Sequence, residues 1–547
     1  MSDYRPHGNI KVIEVYDAVQ RVIRKTGFNI FDYREVFNDK ETKSLICEGR
    51  TIGCFYIESP GMRSLLKRTN CTTFEMLTAV SSIIRPGVAE SGMMKEFIER
   101  HKYPAKRKYL IPEMEKYLSD TYGVMIYQED VIKVAHHVVG LTLDEADFLR
   151  RAMSGKMRSH KAMQFINAKF FDGCKSRGYS DFVSQSLWKQ IESFAGYAFC
   201  KAHSASFGIL SFQVAYLKAH FPAVFMAGVL NNGGGYYSTA VYITEAVRMG
   251  IKILLPDINE SRYNYIGFDN QIRIGFLAIK NFEKSFADVI VSERKRNGNY
   301  TSLIDYLSRT KLGYESTESL IKCGAMDCFG VTRPTLLRLL SLYFKRKNII
   351  EAHGDNLFAN DLSKLEMDIV TDIDFSIEER CIYEYELFGY MVSGHPLQFF
   401  LSETKDMKII NASVMNKYHN RRIKMIGWFM TSKRIKTSKG ELMKFLSLED
   451  LTGTFEAVIF PESYKKFGDL TLSMGPYIVE GKVDALSGNN IIVENLSLLN
   501  IARARAITQK DRNDTQFFGD PDTPVTNEEI SLVNTLGKEK LYTALVG

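Results

Sequence analysis

The chain has 547 residues, 45% hydrophobic and 25% charged, with 71 basic side chains against 64 acidic ones for a net charge of +7. Those proportions exclude a disordered or fibrous chain, and the length provides for three to four domains. The mild positive charge permits a nucleic-acid partner without demanding one. The eight cysteines form no CxxC pair and none stands at finger spacing from histidines, so a structural zinc site is not expected. The N-terminus MSDYRPHGNIKVIEV lacks an apolar stretch, and the longest run without Lys, Arg, Asp or Glu, Ala219 to Thr244, is broken by Pro222 and NNGGG. A soluble, cytoplasmic protein with no membrane contact is therefore expected.

Residues 1–260 read as mainly helical, with apolar residues at three- and four-residue spacing in VIEVYDAVQRVI and EADFLRRAM. From 265 to 345, IRIGFLAIKNFEKSFADVIVSER and LIKCGAMDCFGVTRPTLLRLL read as two helical units, each introduced by a Gly-containing turn. Residues 346–375 read as a linker, and SIEERCIYEYELFGYMVSGHPL returns to helix. The pattern then changes to period 2, with strands expected at 423–430, 443–450, 454–460, 476–486 and 490–499 and a helix, ESYKKFGDLTL, between the third and fourth. Five strands in that order suggest an OB-fold, and residues beyond 503 read as a polar tail. The fold class is thus multidomain and mainly α, with a C-terminal five-stranded β-barrel.

Four segments and one barrel loop carry chemistry. Arg85 precedes Pro-Gly, and Lys95, Arg100, Lys102, Lys106, Arg107 and Lys108 follow against two acids. Such a run either neutralises phosphates or forms a solvated helix face. In DEADFLRRAMSGK, Arg150 and Arg151 project about 100° apart, so one packs while the other reaches out. Lys156 follows a Ser-Gly turn, a set suited to a polyphosphate or to an ordinary surface pair. In ESFAGYAFCKAHSASFGILSFQVAYLKAHFP, Tyr197, Lys201, His203 and Ser204 stand in an apolar stretch, where a buried Lys201 would need an anion such as a triphosphate. The Gly-turn units offer backbone amides to a DNA phosphate or serve packing alone; Asn281, Phe282 and Glu283 replace a Gly-x-Gly turn in the first. TSKRIKTSKGELMK, read as the loop between the first two barrel strands, carries Lys433, Arg434, Lys436, Lys439 and Lys444, with Trp428, Phe429 and Phe445 available for stacking or for the core.

IRPGVAESGMM, YGVMIYQEDVIKVAHHVVGLTLDEADFLRRAMSGK, FAGYAFCKAHSASFGILSFQVAYLKAHFPAVFMAGVLN, GIKILLPDIN, LIKCGAMDCFG and ELFGYMVSGHPL closely resemble the bacterial DNA polymerase III alpha subunit, collinearly over about residues 8–500. SGK after LRRAM is nearer the error-prone paralogue. The resemblance implies a palm-end remnant at 1–40, fingers at 41–262, a tandem helix-hairpin-helix region at 263–345, a linker and helix at 346–406 and an OB-fold at 407–502. It also implies that Arg150, Arg151, Lys156, Tyr197, Lys201, His203 and Ser204 face the incoming nucleotide's triphosphate. Arg85, Lys95, Arg100, Lys106, Arg107 and Lys108 would line the DNA path, and Lys433, Arg434, Lys436 and Lys439 would meet single-stranded template.

Cys200 and Ala202 depart from the family's usual Asn and Ser. GDNLF (354–358) stands where the family has a sliding-clamp peptide, so Leu357 and Phe358 would enter the clamp, with Gly354 in place of Gln. The family's PHP domain and the palm's three metal-holding aspartates are not found. Arg5 stands at the expected place of the third, Asp3 is off register, and the DID at 372–374 reads as solvated acids. Mg²⁺ is therefore expected on a separate palm and no catalytic residue in this chain. A non-catalytic DNA-binding and clamp-docking accessory is the alternative.

Overall fold

The computed structural model describes residues 29–84, 92–153, 160–195, 200–233, 235–353, 373–437, 439–485 and 488–499. The chain divides into two compact units, one of residues 28–220 and one built mainly from residues 221–485 and the strand that follows. Asp3, Arg5, Arg85, Lys156, Tyr197, Leu357, Phe358 and the tail lie outside the described residues.

The first unit is helical throughout: α1 Tyr33–Asn38, α2 Lys40–Cys47, α3 Pro60–Arg68, α4 Phe74–Ile83, α5 Met93–Lys102, α6 Met114–Leu118, α7 Gln128–Lys133, α8 Leu143–Met153, α9 His160–Ser176, α10 Asp181–Ala195 and α11 Lys201–His220. Asp32, Asp39, Ser59 and Thr73 cap α1 to α4 through their side chains. Helix α11 is apolar or small on nearly every side, so it runs through the interior. It lies antiparallel to α4: Ser204 bonds Ser82 Oγ at 2.7 Å, while Gly208 faces Phe74 and Thr78. A Cβ at Gly208 would come 3.1 Å from the Phe74 ring, so the small residue is what lets the helices approach.

Further along α11, polar side chains satisfy the irregular backbone of residues 50–57. Lys218 Nζ donates to the carbonyls of Arg50 (2.7 Å) and Ile52 (2.8 Å), and Ser211 Oγ donates to that of Phe55. The Gln213 amide reaches the Ile30 carbonyl as well. Buried carbonyls need such donors, and this loop has no ladder to supply them.

The second unit begins with α12 Pro222–Asn232 and α13 Thr239–Arg248 and then forms a three-stranded sheet, β1 Lys252–Leu254, β2 Ile266–Phe268 and β3 Gln271–Arg273 in the order β1-β3-β2. The sequence reading has no strands here; three-residue strands are too short to show an alternation. Gly267 is required by packing, since a Cβ there would lie 2.2 Å from the Ala223 carbonyl oxygen on α12.

Helices α14 Lys284–Asn297, α15 Leu303–Thr310, α16 Tyr314–Lys322 and α17 Arg333–His353 follow. The first Gly-turn unit opens with a 3-10 turn, Phe276–Ala278, and the second is a helix, hairpin and helix, α16 to α17. Arg333 is fully buried between them, donating to Asp327 (2.9 and 2.7 Å) and to the Lys322 carbonyl. Residues 346–353, read as linker, continue α17.

Helix α18, Ile377–Phe388, is followed by the Gly-His-Pro stop, which buried Glu384 ties down by accepting from the Val392 and Ser393 amides. Asp374 of the DID is not a solvated acid: it accepts from the Arg333 amide and pairs with Arg380 at 2.5 Å, which closes the start of α17.

The barrel comprises β4 Arg422–Lys436, β5 Leu442–Glu449, β6 Thr454–Ile459, β7 Tyr477–Asp484 and β8 Asn490–Leu498, closed in the order β4-β5-β6-β8-β7, with α19 Pro461–Phe467 between β6 and β7. All pairs are antiparallel except β6 with β8, the arrangement expected from the strand and helix order. Its interior is filled by Met425, Leu446, Leu448, Phe455, Val479, Ile491 and neighbouring residues. Among the described residues no helix is long and apolar enough to cross a membrane.

Candidate functional site

The start of α7 organises the cationic side chains expected to face a nucleotide. Gln128 Oε1 accepts from Arg150 Nη1 at 3.1 Å, and the adjacent Glu129 carboxylate accepts from the Lys201 amide at 3.0 and 3.1 Å. Two neighbouring residues of one helix therefore hold Arg150 on α8 and Lys201 at the start of α11. The Arg150 side chain is 16% exposed and the Arg151 side chain 54%, the packed-and-reaching pair expected from their 100° separation. Asp147 receives both: Arg150 at 2.7 and 2.9 Å and Arg151 at 2.5 Å. Those hydrogen bonds, led by that from Arg150, hold the Asp147 carboxyl below its ordinary value.

Lys201 is not buried as its surroundings in the sequence suggest. Its side chain is 42% exposed, with Nζ 3.6 Å from Asp120 and 5.2 Å from the Tyr127 ring centroid. The buried lysine of α11 is Lys218, which donates to the Arg50 and Ile52 carbonyls. His203 lies against the Phe207 ring at 4.5 Å.

Ser204 is fully buried, so it faces α4 and not an incoming ligand. Ser82, which the sequence reading does not single out, joins Ser204 to the buried Tyr127 hydroxyl beneath Lys201. Ser82 and Ser204 are 122 residues apart, and no local spacing marks the pair.

Beneath α7, buried Asp130 closes the helix start by accepting from the amides of Ile126 (3.0 Å) and Tyr127 (2.9 Å). Burial pushes its carboxyl up to about 6, outweighing those two amides. A carboxyl raised on folding makes the folded state bind more protons, so its stabilising contribution is present below pH 4 and is lost as pH rises from about 4 to 6. Asp130→Asn keeps an acceptor for the amides and is expected to remove that decline. Amide hydrogen exchange at Ile126 and Tyr127, followed from pH 4.5 to 7.5, measures it as protection that falls in the parent and stays level in the variant.

In the basic run, Lys95 and Lys108 are exposed, whereas Arg100 is committed internally. Its guanidinium donates to the carbonyls of Lys108 and Tyr122, both at 2.8 Å, and pairs with Glu96. Arg107 lies over the Tyr122 ring at 4.4 Å, and Lys106 pairs with Glu99 at 3.4 Å. Arg100 thus fixes the turn that presents its neighbours.

In the barrel, the expected loop 431–444 is mostly strand. Strands β4 and β5 extend to Lys436 and Leu442, which pair in register, and beyond them the Thr437 amide donates to the Glu441 carbonyl at 2.8 Å. Alternation through Ile435 and Met443 sustains the ladder despite the basic residues between. Lys433, Lys436 and Lys439 are exposed and Arg434 half-buried, but Lys444 is buried, donating to the Thr471 hydroxyl and carbonyl. Trp428 is buried with Leu397 and Phe400, which removes it from any stacking surface, while Phe429 is half-buried against the barrel core. Phe445 stays half-exposed directly opposite Lys433. Charge reversal at Lys433, Arg434 and Lys436 is expected to weaken single-strand binding and lower the slope of log affinity against log salt by about 2, at roughly 0.7 per lost phosphate contact. Titrations from 50 to 300 mM salt read it.

Among the described residues no group of three or more His, Cys, Asp or Glu side chains is placed to hold a metal ion. These residues do not fit a two-metal centre.

Residues 12–178 match the model of the bacterial DNA polymerase III alpha subunit finger domain, and residues 250–336 match that of the helix-hairpin-helix motif. The chain is 34% identical over 473 residues to the DNA polymerase III subunit alpha of Treponema pallidum (strain Nichols), covering 83% of this chain and 40% of that protein. It is 34% identical over 474 residues to the DNA polymerase III subunit alpha of Staphylococcus aureus (strain MSSA476), covering 86% of this chain and 44% of that one. The chain spans less than half the length of these relatives, and across that span it is similar to the DNA polymerase III alpha type.

Proposed function

We propose that the chain works in DNA replication, or in translesion or repair synthesis, as the part of a DNA polymerase III alpha-type protein that binds DNA and the incoming deoxynucleoside triphosphate. The observation that carries this reading is the convergence of Arg150 and Lys201 on the adjacent Gln128 and Glu129. It brings a forked guanidinium and an exposed ammonium to one helix start, a combination suited to phosphate oxygens. The exposed lysines of the first unit and of the β4–β5 hairpin supply sequence-independent contacts to primer–template and single-stranded DNA. The two-metal step, with its Mg²⁺ and aspartates, comes in this reading from a separate palm-bearing chain, and Leu357 and Phe358 give a route to a sliding clamp.

The test joins binding and synthesis. Lys201→Ala and Arg150→Ala are each expected to weaken deoxynucleotide binding about tenfold or more, the loss of one charge-assisted hydrogen bond. Primer extension is expected to stay at background with the chain alone and to appear when a PHP–palm chain is added. Robust extension by the chain alone would overturn the split arrangement. Unchanged nucleotide affinity in both variants would leave a DNA-binding and clamp-docking accessory.

A further inference from the structure

Each cation of the surface just described is already held by a carboxylate of the same unit. Glu129 sets both oxygens on the Lys201 amide, Asp120 faces Lys201 Nζ at 3.6 Å, and Asp147 takes Arg150 and Arg151 together at 2.5 to 2.9 Å. Three cationic side chains, Arg150, Arg151 and Lys201, thus stand against the carboxylates of Asp120 and Asp147, while the Glu129 carboxylate holds the Lys201 backbone amide. These acids come from three places in the sequence: the turn after α6, the start of α7 and the middle of α8. Asp130, directly behind, accepts from the Ile126 and Tyr127 amides just before α7.

We propose that Asp120, Glu129 and Asp147 are built-in competitors at this surface, and that a polyphosphate binds by taking over the donors these carboxylates hold. The idea rests on the nucleotide reading above. An anion placed beside these cations without displacing the carboxylates meets like charge at hydrogen-bonding distance, which is unfavourable. Displacing them requires a ligand with enough oxygens to satisfy the Lys201 amide and ammonium and the Arg150 and Arg151 guanidiniums together. A triphosphate has them and a single phosphate does not. The carboxylates therefore suppress small anions more than they suppress a triphosphate, so the acids that oppose binding also set its selectivity.

The experiment titrates the full chain with inorganic tripolyphosphate and, separately, orthophosphate at fixed ionic strength. It compares the parent with Glu129→Gln, Asp147→Asn and Asp120→Asn, each of which removes charge while keeping an acceptor. Glu129→Gln and Asp147→Asn are expected to tighten tripolyphosphate binding about three- to tenfold and orthophosphate binding by a larger factor, which narrows the preference. In a Lys201→Ala background the gain from Asp120→Asn should vanish, because Asp120 acts through Nζ. The gain from Glu129→Gln should persist, because Glu129 holds the backbone amide.

Circular dichroism and melting temperature are checked for every variant. Unchanged or weaker binding in Glu129→Gln and Asp147→Asn, at parental Tm, overturns the competition. If Lys201→Ala still weakens binding in that case, the nucleotide reading stands without it. If Lys201→Ala and Arg150→Ala leave deoxynucleotide and tripolyphosphate affinity untouched, the nucleotide reading itself has failed.

Discussion

Lys218→Met is expected to destabilise the first unit by about 2–5 kcal/mol, although methionine fills nearly the same volume. The buried ammonium donates to the Arg50 and Ile52 carbonyls, and both remain in place, without that donor, after the substitution. Each orphaned buried acceptor costs about 1–3 kcal/mol. Relief of the desolvated charge offsets part of that, since a buried charge replaced by an apolar group of similar shape is otherwise close to neutral. Lys218→Ala should cost more, because the missing stem leaves a cavity. Denaturant titration monitored by hydrogen exchange in α11 measures both. A Met variant at parental stability would mean that the 50–57 backbone finds other donors.

Asp327→Ala is expected to cost about 3–5 kcal/mol in the second unit and to loosen the α16–α17 hairpin. The substitution strips a fully buried guanidinium of the Asp327 carboxylate, the case in which breaking an ion pair is most damaging. Arg333→Leu should be milder, because Asp327 is 43% exposed and is hydrated when left behind. Gly324 closes the same corner: its φ is +84°, and a Cβ would lie 2.2 Å from Arg333 Nη2. Gly324→Ala should therefore repeat the Asp327 phenotype. Thermal melts of the three variants, together with duplex-binding titrations, separate a loosened hairpin from a lost contact. Equal losses in Arg333→Leu and Asp327→Ala would count against the asymmetric burial as their cause.

What the sequence made legible followed from periodicity. Alternation over five segments defined the barrel and its inserted helix, and angular arithmetic on Arg150 and Arg151 separated the packed from the reaching side chain. Lys201 shows where that reasoning stops. Helix α11 is apolar or small all round, so its pattern carries no phase, and which of its two lysines is buried depends on where the carbonyls of residues 50–57 lie. The Ser82–Ser204 pair and the carboxylates opposite the cations are likewise products of tertiary folding. Lys444 was misplaced for a related reason: basic residues suggest a loop, whereas a long aliphatic stem lets lysine sit in a strand and reach a carbonyl such as that of Thr471.

The anchoring of residues 50–57 by α11 also bears on how the chain is made. Ser211 and Lys218 lie 156 to 168 residues after the carbonyls they serve, and Gln213 lies 183 residues after Ile30. At about 5–20 residues per second of synthesis, these early carbonyls and the apolar helices beside them wait roughly ten to thirty seconds for their donors. The nascent first unit is thus a high-contact-order intermediate, exposed to aggregation until its last helix emerges.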